Sequence, residues 1–337
     1  MFDINKLKHD SRLEALNTIE GTVEKYLDNM LEELGEYWQP ADFMPNFSSD
    51  EGVEQWRAMK QKAEGLSDEL LVALVGDYIT EAALPTYHSS INTLEGVYDP
   101  TCTSPNVWAA WSRRWSAEES RHGDLLGQYL NLSGRVDMRA VQTTAQNLIT
   151  TGFNPQIGND PYLGFVYTSF QERATKISHR NTGLMAGQAG AKDLQKICTA
   201  ICLDEKRHED TYQFFISELL KIDQEGIIFA FEKMMRQQIS MPAQLMTDGI
   251  DLNMFDSFSR VTQNIGVYSA QDYSKIVAFL VKKWDLINLT NLSPEAEKAR
   301  DYLCKLSARY DKLATRMKKP QPKSISFSWI HGRSIMA

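Results

Sequence analysis

The chain has 337 residues and a mass of 38.4 kDa, and its 36 Lys and Arg against 44 Asp and Glu leave a formal net charge of −8. Hydrophobic residues make up 42% and charged residues 24%, the balance of an ordinary globular protein, and the acidic total argues against nucleic-acid binding. The longest purely apolar runs, Leu70 to Val75 and Ile276 to Val281, span six residues each, far short of the ~20 that cross a bilayer, so no membrane insertion is expected.

Apolar residues recur at three- and four-residue spacing along most of the chain, and alternating β-branched runs are scarce, so an all-α protein is expected. In chain order the pattern predicts helices over 11–36, 51–64, 67–93, 105–131, 137–150, 163–187, 190–220, 224–238, 254–265, 270–287 and 293–318. Breaks fall at Pro40 and Pro45, Asp99-Pro100, Ser133-Gly134, Asn154-Pro155, Asp160-Pro161 and Ser293-Pro294. None reads as a domain boundary, so residues 1–337 are expected to form a single domain. The basic segment Arg316 to Lys323 holds two prolines. It is expected to release a C-terminal extension from about residue 320, which packs through Phe327, Trp329 and Ile330. The cysteines at 102, 198, 202 and 304 make no Cys-x-x-Cys pair, and no charged-then-apolar leader opens the chain. Reduced thiols in an intracellular protein are therefore expected.

A short internal repeat carries the chemistry. Glu118-Glu119-Ser120-Arg121-His122 recurs as Asp204-Glu205-Lys206-Arg207-His208. Both copies contain Glu-x-x-His, and on a helix positions i and i+3 share a face and can close on one metal ion. Glu119 and His122 continue a stripe with Trp108, Trp111, Trp115, Leu126 and Tyr129. Glu205 and His208 do the same with Leu194, Ile197, Ile201, Tyr212 and Phe215. Carboxylates on apolar faces need a compensating partner once buried. Two more acids lie on such faces: Glu81 with Leu70, Leu74 and Asp77, and Glu172 with Phe165, Thr168, Thr175 and His179.

Glu81 precedes its Glu-x-x-His by 38 residues and Glu172 by 33, about the length of a helical hairpin. Four Glu and two His in this order form the ligand set of carboxylate-bridged di-iron four-helix bundles. Two divalent cations would cancel the four negative charges, and oxygen with imidazole donors suits iron or manganese. Asp204 is placed either to accept the free N–H of a ligand histidine or to lie on the surface. Glu118 is expected at the surface, Arg121 and Arg207 toward solvent or a partner, and His88 and His179 as satisfied core or pocket histidines.

The chain resembles the soluble acyl-[acyl-carrier-protein] desaturases of the stearoyl Δ9 type. The resemblance runs from about Leu34 to the C-terminal region. It is carried by Tyr37-Trp38-Gln39-Pro40, Val75-Gly76-Asp77 leading to Thr80-Glu81, Ala83 to Tyr87, Glu118 to Leu126, Tyr129 to Met138, Pro161 to Thr175, Asp204 to His208, Ile239 to Pro242 and Phe327 to Ile330. It implies a ferritin-like di-iron four-helix core enlarged by further helices, in a homodimer. It implies two Fe ions per subunit on Glu81, Glu119, His122, Glu172, Glu205 and His208, with Thr80 and Thr175 beside them as catalytic residues. The implied activity inserts a cis double bond, at Δ9, into a saturated chain borne by acyl-carrier protein, using O2 and electrons from ferredoxin, in fatty acid biosynthesis.

A related di-iron hydroxylase or oxidase, or a non-catalytic iron-binding bundle, is the alternative. Ser90, Leu94, Pro155, Gly164 and Phe165 are candidates for the acyl channel. Arg57, Lys60 and Lys62, or Lys233 and Arg236, are candidates for carrier docking. Three departures stand out: Ala82 follows Glu81, where the family often has a second Glu; Ser90 lies where a bulky apolar residue is common; and Gln237-Gln238 replace lysines. Bacterial cytoplasm or plastid stroma is the expected compartment.

Overall fold

A computed structural model describes residues 4–30, 37–316 and 322–337. The predicted end of the first helix at 31–36, and of the last at 317–318, lies outside the described residues. Twelve α-helices are present among those described. They are α1 (Ile4–Met30), α2 (Gly52–Ala63), α3 (Asp68–Ala82), α4 (Leu84–Ile91), α5 (Val107–Ser133), α6 (Met138–Thr151), α7 (Pro161–Gln188), α8 (Lys192–Leu220), α9 (Gln224–Gln237), α10 (Met254–Ile265), α11 (Ala270–Lys283) and α12 (Pro294–Arg316).

The starts follow from side-chain caps. Ser67 accepts from the Leu70 amide, Asn106 from Trp108, and Asp160 from Tyr162 and Leu163. Each bond satisfies an amide that has no partner within its own helix. Pro161 and Pro294 open α7 and α12, where no N–H is needed. The helix predicted over 67–93 is instead two, parted at Ala83. Pro85 lies in the first turn of α4, and its missing N–H stops α3 from running on.

The four helices bearing the predicted acids, α3, α5, α7 and α8, form the core. Helices α7 and α8 are an antiparallel hairpin. Gly190, at φ +88°, turns the chain, and the Ala191 amide closes back on the Ala186 carbonyl at 2.9 Å. Along α5 and α8 the apolar faces divide into two clusters. One holds Trp108, Trp111, Trp115, Tyr212 and Phe215; the other holds Leu126, Tyr129, Leu194, Ile197 and Ile201. Glu119, His122, Glu205 and His208 fall between them in both helices, so a polar layer crosses the middle of the bundle.

The C-terminal extension packs, as expected, but through a device too short for sequence alternation to reveal. Strands β1 (Ser324–Ser326) and β2 (Ser334–Met336) pair antiparallel. The turn between them buries Phe327, Trp329 and Ile330 against the bundle.

Candidate metal centre

Six side chains meet in the polar layer, all at most 6% exposed. Glu81, Glu119, His122 and Glu205 form one group, and Glu119, Glu172, Glu205 and His208 a second; within each, the donor atoms lie within 4.8 Å of one another. Glu119 and Glu205 belong to both groups. Each imidazole aims Nδ1 inward: His122 Nδ1 lies 3.2 Å from Glu119 and 3.3 Å from Glu205, and His208 Nδ1 lies 2.8 Å from Glu119 and 3.6 Å from Glu172.

The layer is unbalanced as protein alone. The two Nδ1 atoms and Glu205 Oε1 are buried without a hydrogen-bond partner, and buried polar atoms are seldom left so. Burial pushes the Glu172 carboxyl well above the ordinary range, and raises Glu119 with help from the charge of Glu205. Burial alone would lower both imidazoles, yet the charge of Glu119 and hydrogen bonds to neighbouring carboxyls hold His122 and His208 well above their usual value. Two divalent cations would remove this conflict by binding the inward atoms and neutralising four carboxylates. The donor set therefore fits a two-metal site of oxygen and imidazole ligands.

An outer ring orients the inner one. His122 Nε2 lies 3.2 Å from Asp204 and His208 Nε2 lies 3.1 Å from Glu118. Each acid precedes a Glu of one helix and reaches the histidine of the other. Arg121 donates to Asp204 (3.0 Å), and Arg207 to both Glu118 (2.9 Å) and Asp204 (2.7 Å). Arg121 also lies over the rings of Tyr37 and Trp38. These findings correct the expectation of a surface Glu118 and of arginines turned to solvent or a partner. Glu118 and Asp204 are held down, to about 2 each: burial opposes this, and the histidines and Arg207 outweigh it.

Trp115 Nε1 donates to Glu172 at 3.1 Å, and His179 Nε2 lies 2.8 Å from Glu81. Thr175 Oγ1 lies 2.7 Å from Glu205 Oε2, and Thr80 Oγ1 donates to the Gly76 carbonyl at 2.9 Å. His88 is paired with Ser116 at 2.5 Å.

The centre borders a cavity with two arms that share Thr80, Glu81, Thr175 and Pro242. The outer arm, about 640 Å³, runs between α7 and the segments that follow α9, past Gln238, Tyr268 and Leu313. The inner arm, about 70 Å³, runs inward past Trp115, Glu119 and Tyr167. Ser90, Leu94, Pro155 and Gly164 line the inner arm. A Cβ on Gly164 would fall 2.6 Å from Leu94 Cδ1, so a larger residue here would make the Leu94 side chain shift. Phe165 is not among the lining residues. Its ring packs on Trp108 and Phe215, at 5.5 and 5.3 Å between centroids.

A family model described as fatty acid desaturase matches residues 11–331. The chain belongs to that family. It is 50% identical over 327 residues to the chloroplastic stearoyl-[acyl-carrier-protein] 9-desaturase of Brassica napus, covering 96% of this chain and 82% of the relative. The corresponding Arabidopsis thaliana 9-desaturase 1 is 49% identical over 329 residues, covering 97% and 84%. The X-ray structure of DesA2 from Mycobacterium tuberculosis aligns with a TM-score of 0.54 at 18% identity, over 85% of this chain and 99% of that one, a likeness of fold.

Sequence reasoning missed Glu118, Arg121 and Arg207. A signal was present: the repeat is acid-Glu-x-Arg-His in both copies, and the first acid and the Arg recur as faithfully as the Glu and His do.

Proposed function

We propose that this chain is an acyl-[acyl-carrier-protein] desaturase that places a cis double bond, at Δ9, in a saturated chain presented by acyl-carrier protein. The overall reaction balances as –CH2–CH2– + O2 + 2 e⁻ + 2 H⁺ → –CH=CH– + 2 H2O, with ferredoxin as the proposed electron source. The observation that carries this reading is a pair of overlapping four-ligand groups bordering a cavity whose two arms meet beside Glu81 and Thr175. Two irons held by Glu81, Glu119, His122, Glu172, Glu205 and His208 would supply the activation of O2 and the removal of hydrogen.

The chain's own residues do the rest. Asp204 and Glu118 accept from the outer nitrogens of His122 and His208, fixing the tautomer that presents Nδ1 inward. Thr175 holds its hydroxyl proton toward Glu205 Oε2, at the junction of the two arms. Ile91, Leu94 and Phe153 give the inner arm an apolar lining that keeps water from the distal chain. Alignment of one C–C bond with the centre comes from how far the chain threads.

No helix among the described residues is long and apolar enough to cross a membrane. An exposed acyl chain costs ~0.8 kcal/mol per methylene in water, so delivery on a carrier fits. Of the two docking candidates, Lys233 and Arg236 lie on α9, which ends beside Gln238 on the outer arm. Residues 1–337 are read as one domain, working as a homodimer in a bacterial cytoplasm or plastid stroma. The test supplies metal-loaded protein with acyl-carrier protein bearing C14 to C18 chains, reductant, ferredoxin and O2, and locates the product double bond by mass spectrometry. No unsaturated product from any chain would reject the reading; an oxygenated product would make the protein a hydroxylase.

A further inference from the structure

On the desaturase reading, we infer that the inner arm also takes acyl chains that carry a hydroxyl near the carbons facing the centre, and that Tyr87 and Gln171 hold that hydroxyl. Metal ligands apart, the buried polar atoms left without a hydrogen-bond partner among the described residues lining this arm are Tyr87 Oη and Gln171 Oε1. Neighbouring polar groups are committed elsewhere. Trp115 donates to Glu172, Thr168 to the Gly164 carbonyl and Thr175 to Glu205.

Tyr167 relates the two orphaned atoms. Its hydroxyl donates to the Ser240 carbonyl at 3.0 Å, and Gln171, one turn further along α7, donates Nε2 to the same carbonyl at 2.9 Å. That carbonyl fixes the direction of the amide: Nε2 faces it, and Oε1 is left over as an acceptor. On the other side, the rings of Tyr87 and Tyr167 both meet that of Phe153, at 5.1 and 5.7 Å. Burial, with the Tyr167 hydroxyl and the charges of Glu81 and Glu119 nearby, pushes the Tyr87 phenol well above its ordinary value, so it keeps its proton. The arm therefore offers one donor and one acceptor, flanking Tyr167.

A plain chain has nothing for either atom. Filling the arm with methylenes shuts both away from water, and buried polar atoms are seldom left so. A hydroxyl on the chain answers both at once: its oxygen accepts from Tyr87, and its proton goes to Gln171 Oε1. A ketone accepts from Tyr87 but brings no proton, so Gln171 stays unmet. Position along the chain matters as well. Tyr87 feels the charges of Glu81 and Glu119, and Gln171 precedes Glu172, so the pair sits at the level of the centre. Deeper in the arm Ile91, Leu94 and Phe153 give a hydroxyl no partner, and burying it there lowers affinity on the order of 5- to 100-fold.

The test uses acyl-carrier protein bearing C18 chains with one hydroxyl, as each enantiomer, on successive carbons from C7 to C14. Affinity is read by calorimetry on metal-loaded protein kept free of O2, so no chain is turned over. The ratio of hydroxylated to plain chain is taken within each protein, so partial loss of folded material cancels. One position should stand above its neighbours by about fivefold or more in wild type, and Tyr87→Phe should lower the ratio there by about tenfold. In wild type the ketone at that carbon should bind about fivefold more weakly than the hydroxyl. The inference is overturned if no position rises above its neighbours, if Tyr87→Phe keeps the advantage, or if the ketone binds as well as the hydroxyl. The absence of any double bond in the plain chain once O2 and reductant are supplied would reject the desaturase reading alone, because the affinity ratios stand without turnover.

Discussion

Glu119 and Glu205 stand apart from the other two glutamates because each belongs to both ligand groups. Removing a shared ligand strips both ions of a donor, whereas removing Glu81 leaves Glu119, Glu172, Glu205 and His208 intact. Glu119→Ala should therefore bind almost no metal, and Glu81→Ala about half the wild-type amount, by metal-to-protein ratio after anaerobic loading and desalting. Full occupancy in Glu119→Ala would refute the assignment. The outer acids act at one remove. Glu118→Gln and Asp204→Asn should keep the ligands but weaken retention against a chelator by about 10–100-fold; unchanged retention would mean that the histidines need no orienting. The six inner residues could be read from periodicity, because each lies on an apolar stripe. Glu118 could not, since it sits about 100° round the helix from Glu119 and its partner His208 belongs to another helix. Phe165 shares the face of Glu172, but its ring is taken up by Trp108 and Phe215 of the neighbouring helices, a tertiary contact that periodicity does not show.

Helix boundaries were readable at several caps and prolines, as at Ser67, Asp160 and Pro294, but not at Pro85. The split at Ala83 and the hairpin of β1 and β2 were not, because a one-residue break and three-residue strands leave no periodic trace. That hairpin is tied to the body by backbone and side-chain contacts: the Asp137 amide donates to the Trp329 carbonyl at 2.7 Å and Arg260 to the Ala337 carbonyl at 3.0 Å. Trp329 donates to Thr144 Oγ1 at 2.8 Å, Ser328 donates to Asp248 at 2.7 Å, and Arg333 makes a two-pronged contact with Asp68 at 2.9 Å. The hydrogen bond from Arg333 holds the Asp68 carboxyl below its ordinary value. A depressed folded pKa stabilises fully above the unfolded value, near ~3.9, and the contribution is lost as pH falls through the folded one. For a partly exposed pair it is worth about 1 kcal/mol or less. Cuts by an acid-active protease within 322–337 should therefore rise as pH drops below about 4. Asp68→Asn should show them already at pH 5. An identical pH profile in that variant would place the hairpin's anchor elsewhere, in the burial of Trp329.

The whole molecule has to fold around the four buried carboxylates of the inner layer, Glu81, Glu119, Glu172 and Glu205, and its formal charge of −8 counts all of them. Glu118 and Asp204 are offset by Arg121 and Arg207, so the outer ring is neutral by itself and the inner four are not. Protons or metal ions must make up the difference. Without metal, burial of Glu119 and Glu172 and the charge around the imidazoles favour bound protons on these four groups, whereas hydrogen bonds to His122 and His179 hold the Glu81 carboxyl low against its burial. Metal binding would displace those protons, so it couples to both folding and pH. Two measurements follow. Adding ferrous ion to chelator-treated protein at pH 7 in weak buffer should acidify the solution. The loaded form should also unfold at a higher temperature, since an ion at a hundredfold its Kd adds about 2.7 kcal/mol to the folded state. A zinc-loaded sample should gain stability while giving no double bond, because zinc does no redox chemistry; this separates the structural from the catalytic part of the metal's role. Equal unfolding temperatures with and without metal, and no proton release, would mean that protons alone balance the layer. The two-metal reading would then fail for the whole molecule, however well the ligand geometry fits.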